Sequence, residues 1–166
     1  SMNYELARKN MVENQIRANK VTDTKIIDAF SNVEREIFVP ESNREISYND
    51  EDIRLSRNRF MMKPMILARL FQSLSLNGNE NILHIGSDSG YASAILSQLC
   101  HAVISIESDK KLYEKSINIF SEIGFDNVVP LHGPMEVGVP KESPFDVIFI
   151  EGALEEKPKA LFDQLN

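Results

Sequence analysis

The first third of the chain carries apolar residues at helical spacing. Over residues 3–18 they recur every three or four positions between charged residues, which predicts an amphipathic helix. A second helix is predicted over residues 24–33, after Thr22 and Asp23, whose side-chain oxygens can cap its first turn. Residues 41–63 show no such period and are rich in charge, so they predict a long surface loop.

The remainder of the chain alternates helical and strand-length patterns. A helix is predicted over residues 65–76, where apolar side chains form one stripe. Four short runs rich in Ile and Val follow: NILHIG, AVISIES, NVVPLHG and FDVIFIEG. Two helical segments and, over residues 133–143, a loop or short helix separate them. Strands that alternate with helical crossovers predict a parallel α/β sheet with right-handed connections.

The turn after the first of these strands, GSDSGY, carries candidate chemistry. Ligands of parallel α/β sheets bind beyond the carboxyl ends of the strands. In this chain the predicted strand ends are this turn, Glu107, His132–Met135 and Glu151. Gly86 permits a tight turn, and Gly90 permits a close approach of the next helix. Glu107, about twenty residues downstream, is placed to accept hydrogen bonds from a ribose. A tight connection without a ligand and a solvated strand-end acid are the open alternatives.

Composition and charge narrow the class of protein. The 166 residues have a formal net charge of −7, which argues against a broad nucleic-acid interface because phosphate binding needs a positive face. The single cysteine, Cys100, fits a reducing compartment, and three scattered histidines offer no metal-ligand spacing. Signal-peptide and membrane-span patterns are absent. We therefore expect a cytoplasmic protein with one domain over residues 1–166.

The segment before Pro64 concentrates positive charge in this acidic chain. Its basic residues are Arg54, Arg57, Arg59 and Lys63. One interpretation is a solvated loop face. The other is an anion site, because arginine binds carboxylate or phosphate through a planar pair of donors.

Several segments, in their order and spacing, resemble the protein-L-isoaspartate O-methyltransferase family. They are MVENQIRANKVTD, DAFSNVEREIFVP, SYND, Pro64, GSDSGY, VISIES, NVVPLHG, PFDVIFIEGA and LFDQL. The resemblance implies a Rossmann-like α/β methyltransferase sandwich with a parallel sheet over residues 64–166, and an N-terminal helical extension over residues 3–63 that covers the cofactor cleft. It also implies S-adenosylmethionine as cofactor and transfer of its methyl group to the carboxylate of isoaspartyl residues in damaged proteins.

The resemblance also implies roles for individual residues, although it identifies none as a catalyst. The implied cofactor-binding residues are Gly86, Ser87, Asp88, Gly90, Glu107 and Gly133. The implied substrate-binding residues are Ser56, Arg57, Arg59 and Met62. The chain departs from the family pattern in three ways. His84 and Pro134 stand where the family has acids, and Asp88 stands where it has a glycine. Phe60 and Met62 stand where the family has hydroxyl side chains. At position 88 a side chain adds bulk, and its carboxylate would repel the methionine carboxylate of the ligand.

These departures leave other functions open. One is a catalytically degenerate homologue that acts as a binding or assembly module, and another is a methyltransferase with a different small acceptor. Family members continue beyond LFDQL, so we expect a sheet that lacks the last strands. FDVIFIEG would then be an apolar sheet edge, which predicts either a homodimer or a longer natural chain. The expected partner is an isoaspartyl-containing protein or peptide, without nucleic acid or membrane.

Overall fold

The computed structural model describes residues 2–152, 154 and 159–166. Ala153, at the end of the PFDVIFIEGA segment, lies outside the described residues. The chain divides into two compact units, Ser1–Leu76 and Asn77–Asn166. In the described part of the chain, each helix is too short or too polar to cross a membrane.

Three α-helices form the framework of the first unit. They are α1, Tyr4–Met11, α2, Thr24–Asn32, and α3, Pro64–Ser73. A π-helical turn, Val12–Ile16, and a 3₁₀ turn, Arg17–Asn19, extend α1. The Asp23 carboxylate accepts a hydrogen bond from Lys25 N at 2.9 Å and so caps α2. The three helices predicted from the apolar period are confirmed, and Asp23 supplies the predicted cap.

A β-hairpin occupies the second half of the predicted surface loop. Two 3₁₀ segments, Arg35–Phe38 and Glu41–Ile46, lead to the antiparallel strands β1, Ile53–Ser56, and β2, Arg59–Met61. The loop prediction is wrong for these strands. The strands have four and three residues, which is at or below the shortest alternating run by which a strand is recognised in a sequence.

The second unit is built on a parallel sheet. The described strands are β3, Asn81–Ile85, β4, Ala102–Glu107, β5, Val128–His132, and β6, Val147–Ile150, in the spatial order β5-β4-β3-β6. The helices are α4, Tyr91–Ser97, α5, Lys110–Ile123, and α6, Lys159–Phe162. A 3₁₀ turn, Pro140–Glu142, lies in the interval predicted as a loop or short helix. The predicted α/β fold with a parallel sheet is confirmed.

One cluster of the hydrophobic core of the second unit lies against one face of the sheet. Its buried residues are Leu83, Ile85, Ile106, Met135, Phe145 and Leu161. The strand order reverses beside β3, because β4 and β5 lie on one side of it and β6 on the other. The carboxyl ends of β3 and β6 therefore flank the topological switch point, where ligands of such sheets bind.

The end of the chain pairs with the start of the apolar run that contains β6. Phe145 N donates to Gln164 O at 2.7 Å, and Asn166 N donates to Phe145 O at 2.7 Å. Phe145 and Leu165 form a parallel bridge. The homodimer through FDVIFIEG stays a prediction, for which light scattering of the purified chain is the measurement.

Candidate functional site

The turn after β3 contains three residues with a left-handed backbone. Gly86, Asp88 and Gly90 have φ angles of 72°, 58° and 107°. Glycine adopts such angles without steric strain, whereas a β-carbon is disfavoured there. Two main-chain hydrogen bonds hold the turn: Gly86 N donates to Ile106 O, and Gly90 N donates to Ser87 O, both at 2.9 Å. The turn is therefore tight and joined to β4.

Gly90 has no room for a side chain. A Cβ at this position would lie 2.5 Å from Cε2 of Phe120. Phe120 belongs to α5, so the helix that follows β4 packs directly on the turn. The close approach predicted at Gly90 was that of the next helix, α4, whereas the element that leaves no room for a Cβ is α5.

Glu107 connects the ends of β3 and β4. Its carboxylate is buried, and Oε1 accepts a hydrogen bond from Asp88 N at 2.7 Å. Oε2 accepts another from Asp109 N at 2.8 Å. The main-chain oxygen of Glu107 accepts from Gly133 N at 3.1 Å. Two of the predicted cofactor-binding residues, Asp88 and Gly133, thus form hydrogen bonds with Glu107.

Asp88 places an acidic side chain inside this turn. It is 4% exposed, and its left-handed φ is one that asparagine and aspartate tolerate better than most other residues. The resemblance implies glycine at this position, which would relieve the strain and remove the β-carbon. The middle one of the three left-handed residues of the turn therefore carries a buried carboxyl group.

Three buried side chains form a hydrogen-bonded chain behind the turn. His84 Nδ1 lies 2.6 Å from Ser93 Oγ, and His84 Nε2 lies 2.6 Å from Glu151 Oε1. The His84 and Glu151 side chains are 0% and 7% exposed. The departure at His84 and the strand-end position of Glu151 are both visible in the sequence, but their contact is not, and Ser93 gives no signal of its own.

The remaining side chains near the strand ends have different environments. Tyr91 is buried. His132 is exposed, and its ring stacks on Tyr113 with a centroid separation of 5.4 Å. Cys100 is buried, and burial raises the pKa of its thiol to about 12.

The predicted substrate-binding residues lie in the hairpin of the first unit. Ser56 pairs with Arg59 across the strands. Arg57 is exposed, and the Arg54 guanidinium donates to Ser56 O and Arg57 O at 3.4 and 3.2 Å. Met62 follows β2 and is half-buried; its main-chain oxygen accepts from the buried Arg35 at 3.3 Å. The structure brings these residues together in one hairpin, whereas the predicted cofactor-binding residues lie in the second unit.

The parallel sheet, the glycine turn after β3 and the acid at the end of β4 define the class of protein: a Rossmann-like methyltransferase fold. The model of the family described as Protein-L-isoaspartate(D-aspartate) O-methyltransferase (PCMT) matches residues 6–166. The chain belongs to this family.

Individual relatives agree with the family assignment. Over 161 residues the chain is 38% identical to protein-L-isoaspartate O-methyltransferase 2 of Anaeromyxobacter sp. (strain Fw109-5), covering 97% of this chain and 66% of that protein. It is 33% identical to protein-L-isoaspartate O-methyltransferase 1 of Syntrophobacter fumaroxidans over 99% of this chain and 77% of that protein. The chain thus spans about two thirds of the length of the first of these curated relatives.

Solved structures share the fold. A protein-L-isoaspartate O-methyltransferase structure superposes with a TM-score of 0.85 at 27% identity, covering 96% of this chain and 52% of that one. A structure from Plasmodium falciparum, described as a beta-aspartate methyltransferase in complex with S-adenosyl-L-homocysteine, has a TM-score of 0.77 at 21% identity. It covers 100% of this chain and 81% of that chain, and shows the likeness of fold alone.

Proposed function

We propose that this chain binds S-adenosylmethionine and methylates the free carboxylate of isoaspartyl residues in damaged proteins. The observation that carries the proposal is the Glu107 carboxylate, which is buried and hydrogen-bonded to Asp88 N in the turn after β3. An acid fixed in this position matches the ribose-binding acid of nucleotide-cofactor sites. The names of the relatives, all protein-L-isoaspartate O-methyltransferases, support the substrate class.

The residues of the second unit fit the cofactor. Glu107 offers fixed acceptors for hydroxyl groups, and the left-handed glycines Gly86 and Gly90 keep side chains out of the turn. When bound, S-adenosylmethionine supplies a methyl group on a positively charged sulfur. That group would be transferred to a carboxylate oxygen of the substrate, which would give a methyl ester and S-adenosylhomocysteine.

The hairpin residues are proposed to hold the acceptor. A carboxylate is already a competent nucleophile, so the reaction needs orientation of the acceptor rather than a general base. Arg57 and Arg59 present guanidinium groups, which bind carboxylates through paired donors, and Ser56 contributes a hydroxyl beside them. No residue of this chain is assigned as an acid or base in the transfer.

The first experiment is calorimetric titration of the purified chain with S-adenosylmethionine and S-adenosylhomocysteine, followed by a methylation assay. We expect micromolar binding of both ligands. The assay compares an isoaspartyl peptide with the same peptide containing ordinary aspartate, and mass spectrometry should detect a methyl ester on the isoaspartyl form only. Absence of binding heat, together with no thermal shift at millimolar ligand, would instead support a catalytically degenerate binding or assembly module.

A further inference from the structure

The buried chain Ser93–His84–Glu151 joins three elements of the second unit. Ser93 lies on α4, His84 on β3, and Glu151 directly after β6. Both hydrogen bonds to the imidazole are 2.6 Å long. None of these side chains is used by the proposed cofactor contacts at Glu107, so their arrangement requires a separate explanation.

Two hydrogen bonds hold the His84 imidazole in place. An ionised carboxylate only accepts hydrogen bonds, so Nε2–H of His84 donates to Glu151. The Ser93 hydroxyl can donate to Nδ1 or accept from it, so both ring nitrogens have a partner. His84 therefore orients the Glu151 carboxylate.

Glu151 stands at the ligand end of the sheet. His84 pairs in register with Phe149, and the alternation of a strand places Glu151 on the same face, one step closer to the switch point. Glu151 N donates to Ile85 O at 2.9 Å, immediately before the turn that begins at Gly86. A carboxylate has about four acceptor sites, and a hydrogen bond from one imidazole leaves others for a ligand.

A buried carboxylate is stabilised by a positive partner. Taking a charge out of water is costly unless the charge is paired and hydrogen-bonded. The Glu151 side chain is only 7% exposed. A small cationic group bound at the switch point would donate to the acceptor sites that His84 leaves on Glu151 and would add a positive partner.

We propose that Glu151, oriented by His84, binds the α-ammonium group in the methionine portion of the cofactor. This inference rests on the proposed function, since it assigns a residue to the same cofactor site. Glu151 acts as a binding residue, and His84 acts as a positioning residue through it. Neither takes part in the transfer of the methyl group.

The test compares a ligand that has the amino-acid portion, which carries the ammonium group, with a ligand that lacks it. S-adenosylhomocysteine contains it, whereas 5′-methylthioadenosine lacks the whole amino-acid portion. For Glu151→Gln we expect at least about tenfold weaker binding of S-adenosylhomocysteine in calorimetry, because a charge-assisted hydrogen bond is lost. Binding of 5′-methylthioadenosine should stay within about twofold. The matched control is Asp146→Asn, which removes the same charge near the other end of β6 and should change neither affinity.

Two substitutions of His84 test the same proposal if the Glu151→Gln variant does not fold. His84→Leu removes the donor that orients Glu151 and should weaken S-adenosylhomocysteine selectively. His84→Gln places an amide donor near the position of Nε2 and should restore part of that loss. Circular dichroism and thermal unfolding establish that each variant is folded before titration.

Each alternative outcome overturns the assignment in a distinguishable way. Equal weakening of both ligands by Glu151→Gln would show a structural role only. Weaker binding of S-adenosylmethionine with unchanged S-adenosylhomocysteine would place Glu151 against the charged sulfur instead. Normal wild-type binding that Glu151→Gln does not affect would overturn this inference alone, whereas a wild-type chain that binds none of the ligands would overturn the proposed function with it.

Discussion

Glu107 Oε1 lies 2.7 Å from the main-chain nitrogen of Asp88, so the acid at the end of β4 holds the turn that follows β3. The second oxygen of the same carboxylate accepts from Asp109 N at 2.8 Å. Glu107 therefore fixes the shape of the turn, and we propose for it a second role as the acid that binds the ribose of the cofactor. Substitutions around this contact separate the two roles.

Replacing Glu107 by Gln should weaken both folding and cofactor binding. A glutamine side chain has one acceptor oxygen, so its NH₂ group would face one of the two main-chain donors. A buried unsatisfied donor costs about 1–3 kcal/mol, which urea unfolding can measure. The matched control is Glu122→Gln on the exposed side of α5, which should change stability by less than about 0.5 kcal/mol. Equal effects of the two substitutions would contradict the role of Glu107.

Replacing Gly90 by Ala should destabilise the second unit by more than the cost of placing an alanine at a left-handed φ. The new Cβ would lie 2.5 Å from Phe120 Cε2. Gly78 is a suitable comparison, because its φ is 99° and nothing lies within 4 Å of a Cβ built there. We expect Gly78→Ala to cost about 1 kcal/mol and Gly90→Ala a further 1–3 kcal/mol or so from overpacking. The double variant Gly90→Ala with Phe120→Leu should recover part of the difference in urea unfolding.

Replacing Asp88 by Gly should strengthen binding of S-adenosylhomocysteine. The substitution removes a β-carbon at φ 58° and a carboxylate that would repel the carboxylate of the ligand. Asp88→Asn serves as the control, because it removes the charge and keeps the side chain. Calorimetry should rank glycine tightest, asparagine next and aspartate weakest. Unchanged or weaker binding by the glycine variant would eliminate obstruction by Asp88 as an explanation.

Removing Arg57 and Arg59 together should raise KM for an isoaspartyl peptide without changing the affinity for S-adenosylhomocysteine. Each guanidinium can form a charge-assisted pair with a carboxylate, worth about 1.5–3 kcal/mol when it is made. Arg69→Ala, on the exposed part of α3, removes a comparable charge outside the hairpin and should leave KM unchanged. A double variant with wild-type KM would show that the hairpin charges form only a solvated face. This prediction presupposes the methylation activity.

Cys100 should be unreactive in the native protein and should make stability fall at alkaline pH. Burial, with the negative charge of Glu80 as a smaller cause, raises the pKa of its thiol to about 12. An unfolded thiol ionises near pH 8.5 or so, so the folded state holds the proton longer. The stabilising contribution is complete below that pH and is lost as pH rises toward 12.

Two measurements check the behaviour of Cys100. Labelling with a thiol reagent at neutral pH should be slow for the native chain and fast after denaturation. Cys100→Ala should flatten the fall in unfolding free energy at alkaline pH compared with the wild-type chain. Native labelling at the rate of an exposed thiol would contradict the buried environment.

Local sequence patterns determined most of the fold. The three helices of the first unit follow from apolar residues at a period of about 3.6, and the parallel sheet follows from short Ile- and Val-rich runs between helical segments. Gly86, Gly90 and Glu107 were also predictable, since a turn needs glycine where φ is positive and a strand end is defined along the chain. These features depend on residues that are close together along the chain, so the sequence pattern is enough to predict them.

Only the tertiary structure decided which distant residues meet. The contact of Phe120 with Gly90 and the bond between His84 and Glu151 join positions 30 and 67 residues apart, and packing of separate elements creates them. The hairpin β1–β2 was missed because its strands have only four and three residues, too few for a clear strand pattern, and the pairing between them creates the element. The sequence thus determined the elements and the ligand end of the sheet, while packing determined the partners of Glu107, His84 and Glu151.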